Sequence, residues 1–174
     1  MVNKLGGAEL LSYCFGDAVS SSSIDWFLDS VRPRRIRLSI KTLSTEKPHD
    51  ASYDPEYLLP LLLHMFDTID VVPVRRLLET GLVGYVVVCM SSDLLTIRTK
   101  AYDLLGRYFQ MLEIQQSQGL LAGGGFRERP QIQFLLDSFR GAIERAYMKI
   151  PSLLAVFVAD AIKILLRPGH AIYT

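Results

Sequence analysis

The stretch YDPEYLLPLLLHMF, Tyr53 to Phe66, holds an acid, a proline, and then an almost unbroken apolar run with a second proline inside it. It can be read as a membrane segment, a reactive site, or a helix packed on several sides. Asp54 is a good N-cap, because its carboxylate accepts backbone N–H groups that the first helical turn leaves without partners. Pro55 suits the first helical position, and Glu56 favours the positive end of the helix dipole. Pro60 falls in the second turn, where it removes one backbone hydrogen bond and is expected to bend the helix. The run from Leu61 to Phe66 is apolar nearly all round, as in a helix contacted from several sides. Asp-Pro-Glu is therefore a helix start and not a catalytic acid.

Toward the C-terminus the same logic recurs. A short helix is predicted after Pro73, ending at Gly81 in a left-handed C-cap. An apolar helix over about Leu82 to Met90 follows, and Ser91, Ser92 and Asp93 offer a turn and a new cap. A long helix then places Leu94, Ile97, Ala101, Leu104, Leu105, Tyr108 and Leu112 at three- and four-residue steps, with Lys100, Asp103, Arg107 and Gln110 on the other face. Short helix, buried helix, long amphipathic helix is the layout of an armadillo-type unit. After a loop flexible at Gly123, Gly124 and Gly125, a helix is predicted from about Pro130 to Tyr147, with Ile132, Leu135, Leu136, Phe139 and Ile143 inward. Pro151 opens a last helix whose charged positions, Asp160, Lys163 and Arg167, form one narrow stripe; it is expected to be sandwiched between neighbours. Pro168-Gly169 stops it.

The first fifty residues differ. SSSIDWFLDSV, Ser21 to Val31, has serine caps and sets Ile24, Phe27, Leu28 and Val31 on one helical face. A basic run follows, with a weak alternation through Ile36, Leu38 and Ile40, and the part from Thr42 to Ser52 reads as a linker. The expected organisation is an N-terminal segment, 1–52, helical and extended with a basic arm and linker, and an armadillo-like helical domain, 53–174. The fold class is all-α, an armadillo/HEAT-like solenoid segment within a longer array.

The composition fits this reading. The chain has 174 residues, enough for one domain with a substantial core. Apolar residues make up 49%, rich for a free-standing domain, so either the core is large or apolar surface awaits a cover. The net charge of +1 gives no global field toward nucleic acid or membrane. The run Ile150–Leu166 is too short, and too charged at Asp160 and Lys163, to span a bilayer. No secretory signal is visible at the N-terminus.

Chemical motifs are scarce. Cys14 and Cys89 stand in no metal spacing and read as reduced thiols. His49, His64 and His170 are widely separated and lack acid or thiol partners at ligand spacing. The Gly123–Gly125 loop lacks the lysine and serine or threonine of a P-loop. With no nucleophile elbow and no base pair for one, no enzymatic activity and no cofactor are expected. The one local functional signal is basic: Arg32, Arg34, Arg35, Arg37 and Lys41 fall within ten residues. They are the candidate RNA-binding residues, since such a group neutralises several phosphates; the alternative is a solvated edge of ion pairs.

The blocks YDPEYLLPLLLHMF, VRRLLETGLVGYVVVCMSSDLLTIRTKAYDLLGRYFQMLE and FRERPQIQFLLDSFRGAIERAYMKIPSLLAVFVADAIKILLRPGHAIYT resemble the C-terminal region of the nucleolar pre-ribosomal-associated protein 1 family. The resemblance runs over 53–174. It implies a nucleolar, armadillo-like scaffold without catalytic residues, acting in early assembly of the large ribosomal subunit and in rRNA processing. The implied partners are pre-60S assembly factors, precursor ribosomal RNA and the rest of a longer parent array, of which this chain is then one piece. Two other readings stand beside it: a general armadillo-type adaptor that binds protein without touching RNA, and an enzyme with an unrecognised site. Salt-dependent RNA binding separates the scaffold from the adaptor.

Overall fold

The computed structural model describes residues 54–68, 73–117 and 128–167. Among them are six α-helices and no strand. They are α1 (Pro55–Thr68), α2 (Val74–Glu79), α3 (Leu82–Cys89), α4 (Leu95–Ser117), α5 (Arg129–Gly141) and α6 (Ser152–Leu165).

The start of α1 is as the sequence predicts. The Asp54 carboxylate accepts the Glu56 N–H at 2.9 Å, and the Asp54 carbonyl accepts from Leu58 at 3.0 Å. The helix runs on through Pro60 and buries Leu58, Leu59, Leu62 and Met65, while Leu61, Leu63 and Phe66 pack partly against the core.

Gly81 joins α2 to α3 with φ 83°, the left-handed conformation that an L side chain enters only at a cost. Its N–H donates to the Leu78 carbonyl and its own carbonyl accepts from Tyr85, both at 2.9 Å, so one residue ends α2 and starts α3. A Gly81→Val variant is expected to lose about 1–2 kcal/mol through left-handed strain alone, read as a lower urea midpoint with an unchanged slope.

All eight residues of α3 are buried. The helix is the centre of the molecule, with α4 and α6 packed on it and α2 beside it. Beyond this centre, α1 lies on α4 and α5 lies on α6. Crowding decides the residue types in the middle: a Cβ built on Gly84 would stand 3.2 Å from the Ala159 Cβ. A glycine on α3 and the buried Ala155 and Ala159 on α6 let the two backbones approach closely.

In α4 the buried apolar set is Ile97, Ala101, Leu104, Leu105, Tyr108, Phe109 and Leu112, as the spacing predicts except at two positions. Leu94 precedes the first turn and is exposed, its N–H held by the Ser92 hydroxyl at 3.2 Å. Phe109 is buried although it lies off the predicted stripe, because α5 comes against that side; the Arg140 guanidinium sits 5.7 Å above its ring. The predicted cap is also redistributed. Ser92 supplies the capping oxygen, while Asp93 makes an ion pair with Lys149.

Two further expectations are corrected. The helix predicted to reach Tyr147 ends at Gly141, and Ala142–Pro151 is a connector with Tyr147 at φ 57°. Tertiary hydrogen bonds provide the reason. Arg98 Nε donates to the Tyr147 carbonyl at 3.2 Å, Tyr102 Oη donates to the Met148 carbonyl at 2.9 Å, and the Ile150 N–H donates to the Met90 carbonyl at 3.2 Å. These bonds give the connector's backbone partners that a helix would otherwise supply. Secondly, α6 is not sandwiched. It buries Ala155, Val158, Ala159 and Ile162, but Leu153 and Phe157 on another side are 79% and 65% exposed.

Candidate functional site

The basic run Arg32, Arg34, Arg35, Arg37 and Lys41, with Cys14, His49, Gly123–Gly125 and His170, lies outside the described residues. The proposed split at residue 52 lies there too. Of the sequence candidates for chemistry, His64 and Cys89 fall within them. His64 is half-buried on α1. Cys89 is wholly buried at the end of α3, where burial pushes its thiol well above the ordinary range against a smaller opposing effect of the Tyr85 hydroxyl. A thiol held neutral and out of solvent is not a nucleophile. Tyr85 and Tyr108 are likewise raised by burial, which keeps both phenols un-ionised in the core. Among the described residues no three His, Cys, Asp or Glu side chains gather as a metal site, and no helix is long and apolar enough to cross a membrane.

Two surface features stand out. The first is polar. Arg98, on the first turn of α4, donates from Nη1 to the Ser92 and Asp93 carbonyls at 2.8 and 2.9 Å, while its Nε holds the connector at Tyr147. The Tyr147 ring meets Tyr102 edge-on at 5.6 Å, and its hydroxyl lies 3.4 Å from the Asp103 carboxylate. Every one of these contacts is internal, so the cluster accounts for itself as a clasp between α4 and the connector.

The second is an open apolar groove of about 720 Å³ between α5 and α6. One wall is the stripe Gln131, Phe134, Leu135 and Ser138 of α5, at three- and four-residue steps. The other is Phe157, Ala161, Ile164 and Leu165 of α6. Asp160 is the sole charged side chain among the lining residues, and it pairs with Lys163 at 3.2 Å. Phe134 is 76% exposed at the edge. Large apolar side chains thus stand in water on both walls of one groove, Phe134 on α5 and Phe157 on α6. Apart from Gln131, Ser138 and Asp160, the side chains lining the groove are apolar. Sequence reasoning missed the groove because it expected α6 to be sandwiched between neighbours. A signal was present in the 49% apolar content, without its location.

Residues 83–174, which include the groove and the clasp, match the family described as Nucleolar pre-ribosomal-associated protein 1. The chain belongs to that family. Nucleolar pre-ribosomal-associated protein 1 of Mus musculus and that of Homo sapiens are each 32% identical to it over 124 residues, 71% of this chain and 5% of theirs. The chain thus spans about 5% of the length of these curated relatives. No solved structure matches. The family match starts within α3 and runs through α4, α5 and α6.

Proposed function

We propose that the chain is a non-enzymatic helical scaffold acting in the nucleolus in early large-subunit (pre-60S) ribosome assembly and rRNA processing, as an armadillo-like segment of a longer helical array. The observation that carries this reading is membership of a family whose relatives are named nucleolar and pre-ribosomal-associated. The fold is consistent with it: a short helix, a fully buried one and a 23-residue amphipathic one follow each other in α2, α3 and α4, and the apolar flank of α5 and α6 suits stacking against further helices. A scaffold works by presenting such faces to protein partners, among them pre-60S assembly factors and the rest of the parent array. The basic arm, Arg32 to Lys41, would touch precursor ribosomal RNA.

The direct experiment is affinity purification of the chain from cells. Pre-60S proteins and precursor ribosomal RNA are expected in the eluate, and their absence would sink the proposal. A second experiment addresses RNA. If Arg32, Arg34, Arg35 and Arg37 each contact a phosphate, replacing all four with alanine shrinks the slope of log affinity against log salt by roughly 0.7 per lost contact on single-stranded RNA. Binding should be largely indifferent to base sequence. Equal slopes for both proteins would leave the general protein-binding adaptor, which the apolar groove favours independently.

A further inference from the structure

We propose that the connector Ala142–Pro151 is a conformational switch with two forms: the clasped one, and one in which α5 continues as a helix through Tyr147 and lets go of α4. Local and tertiary structure disagree at this point. Ala142 to Tyr147 continue the periodic pattern of α5, and alanine, glutamate and arginine are strong helix formers. Yet the helix stops at Gly141, and Tyr147 is held at φ 57°, the sole non-glycine residue with positive φ among the described residues. A bulky aromatic enters that region at a cost, and stays there only where surrounding contacts impose it. Here those contacts are few. Arg98 Nε donates to the Tyr147 carbonyl, the Tyr102 hydroxyl donates to the Met148 carbonyl, and the Tyr147 ring meets Tyr102 edge-on. A helical preference opposed by a handful of exposed or half-buried bonds is a balance with a second state close by.

The extended form satisfies the chain. The N–H groups of Glu144, Arg145, Ala146 and Tyr147 then donate to the carbonyls of Arg140, Gly141, Ala142 and Ile143 in ordinary helical rings. No new nucleus is needed, because the helix is already formed up to Gly141. Ile143 and Tyr147 come to stand four residues apart on one face, where such side chains support each other. Met148, Lys149 and Ile150 remain to turn into α6, and connections of about two to eight residues are ordinary between packed helices. What changes on the surface is α4. Arg98 Nε and the Tyr102 hydroxyl, both occupied in the clasped form, are released, so the connector acts as a cover over these two donors.

Three substitutions move the balance in defined directions. Gly141→Ala favours the helix, and its Cβ meets open space. Tyr102→Phe removes the bond to Met148 and keeps the ring. Each is expected to shift the equilibrium roughly five-fold toward the extended form. Tyr147→Gly shifts it by about five-fold or more the other way, because glycine enters the left-handed region freely and is a poor helix residue. Backbone NMR of the full chain reads the outcome. In Gly141→Ala combined with Tyr102→Phe, the Cα shifts of Glu144, Arg145 and Ala146 are expected to move toward helical values. Their amides should exchange with solvent roughly five-fold more slowly at least. In Tyr147→Gly both readouts should move in the opposite direction. Protected amides in α3 report that the core is intact in each variant. Parent-like shifts in the combined variant with an intact core, or a more helical segment in Tyr147→Gly, overturn the proposal. Loss of protection throughout α3 in the combined variant overturns it too, since the clasp would then hold the fold together instead of choosing between two forms.

Discussion

Leu136→Asp and Leu104→Asp are each expected to leave the chain unfolded or insoluble at room temperature. Leu136 on α5 is 0% exposed and Leu104 on α4 only 2%. Truncating a buried leucine costs about 2–5 kcal/mol before any charge is counted. Placing an unpaired carboxylate there adds a desolvation penalty of several kcal/mol, or forces the group to take up a proton. Together these match the whole stability of an ordinary domain, about 5–15 kcal/mol. Neighbouring positions serve as controls. Asp137, beside Leu136, is exposed and Lys100 is half-buried on the other face of α4, so Asp137→Asn and Lys100→Ala should each stay within about 0.5 kcal/mol of the parent. Thermal melts of the four variants decide the matter. Aspartate variants that melt within a few degrees of the parent would show that the inner faces of α4 and α5 are wrongly assigned.

Gly84→Leu is the second large effect. Even a single carbon at this site comes within 3.2 Å of Ala159 Cβ and 3.4 Å of its Cα, so a leucine side chain has nowhere to go without moving α6 off α3. Overpacking of this kind typically costs about 1–3 kcal/mol and occasionally more; here the obstacle is partly backbone, which places the cost at the upper end. A loss of about 3 kcal/mol corresponds to a drop in Tm of roughly 10–20 °C for a domain of this size. Gly106, which has open space around its missing side chain, is the matched control. It lies within α4, where alanine is favoured over glycine by about 1 kcal/mol, so Gly106→Ala is expected to raise Tm. If Gly84→Leu melts like the parent, α3 and α6 do not cross at this point.

What was legible in the sequence was local. Asp54, Pro55 and Glu56 announce the start of α1 because capping is a relation between residues a turn apart. Gly81 announces the α2–α3 junction because only glycine enters the left-handed region without penalty. The inner stripe of α4 follows from the 3.6-residue period, which needs no knowledge of the neighbouring helices. The basic run is equally plain in the sequence, and its contacts lie outside the described residues.

Tertiary structure decided the rest. The end of α5 at Gly141 depends on Arg98 and Tyr102, which take the carbonyls of Tyr147 and Met148, 49 and 46 positions further along the chain. Burial of Phe109 depends on α5 arriving from that side, and exposure of Leu94 on where the first turn of α4 begins. The groove depends on an arrangement that no periodicity encodes: an apolar side chain signals that it should be covered, but not by what. Phe157 and Val158 are adjacent apolar residues on α6, one 65% exposed and the other 3%, and only the placement of the helices packed on α6 distinguishes them. Hydrophobicity is a property of a residue, whereas burial is a property of its neighbours, and those are chosen by the packing of the whole chain.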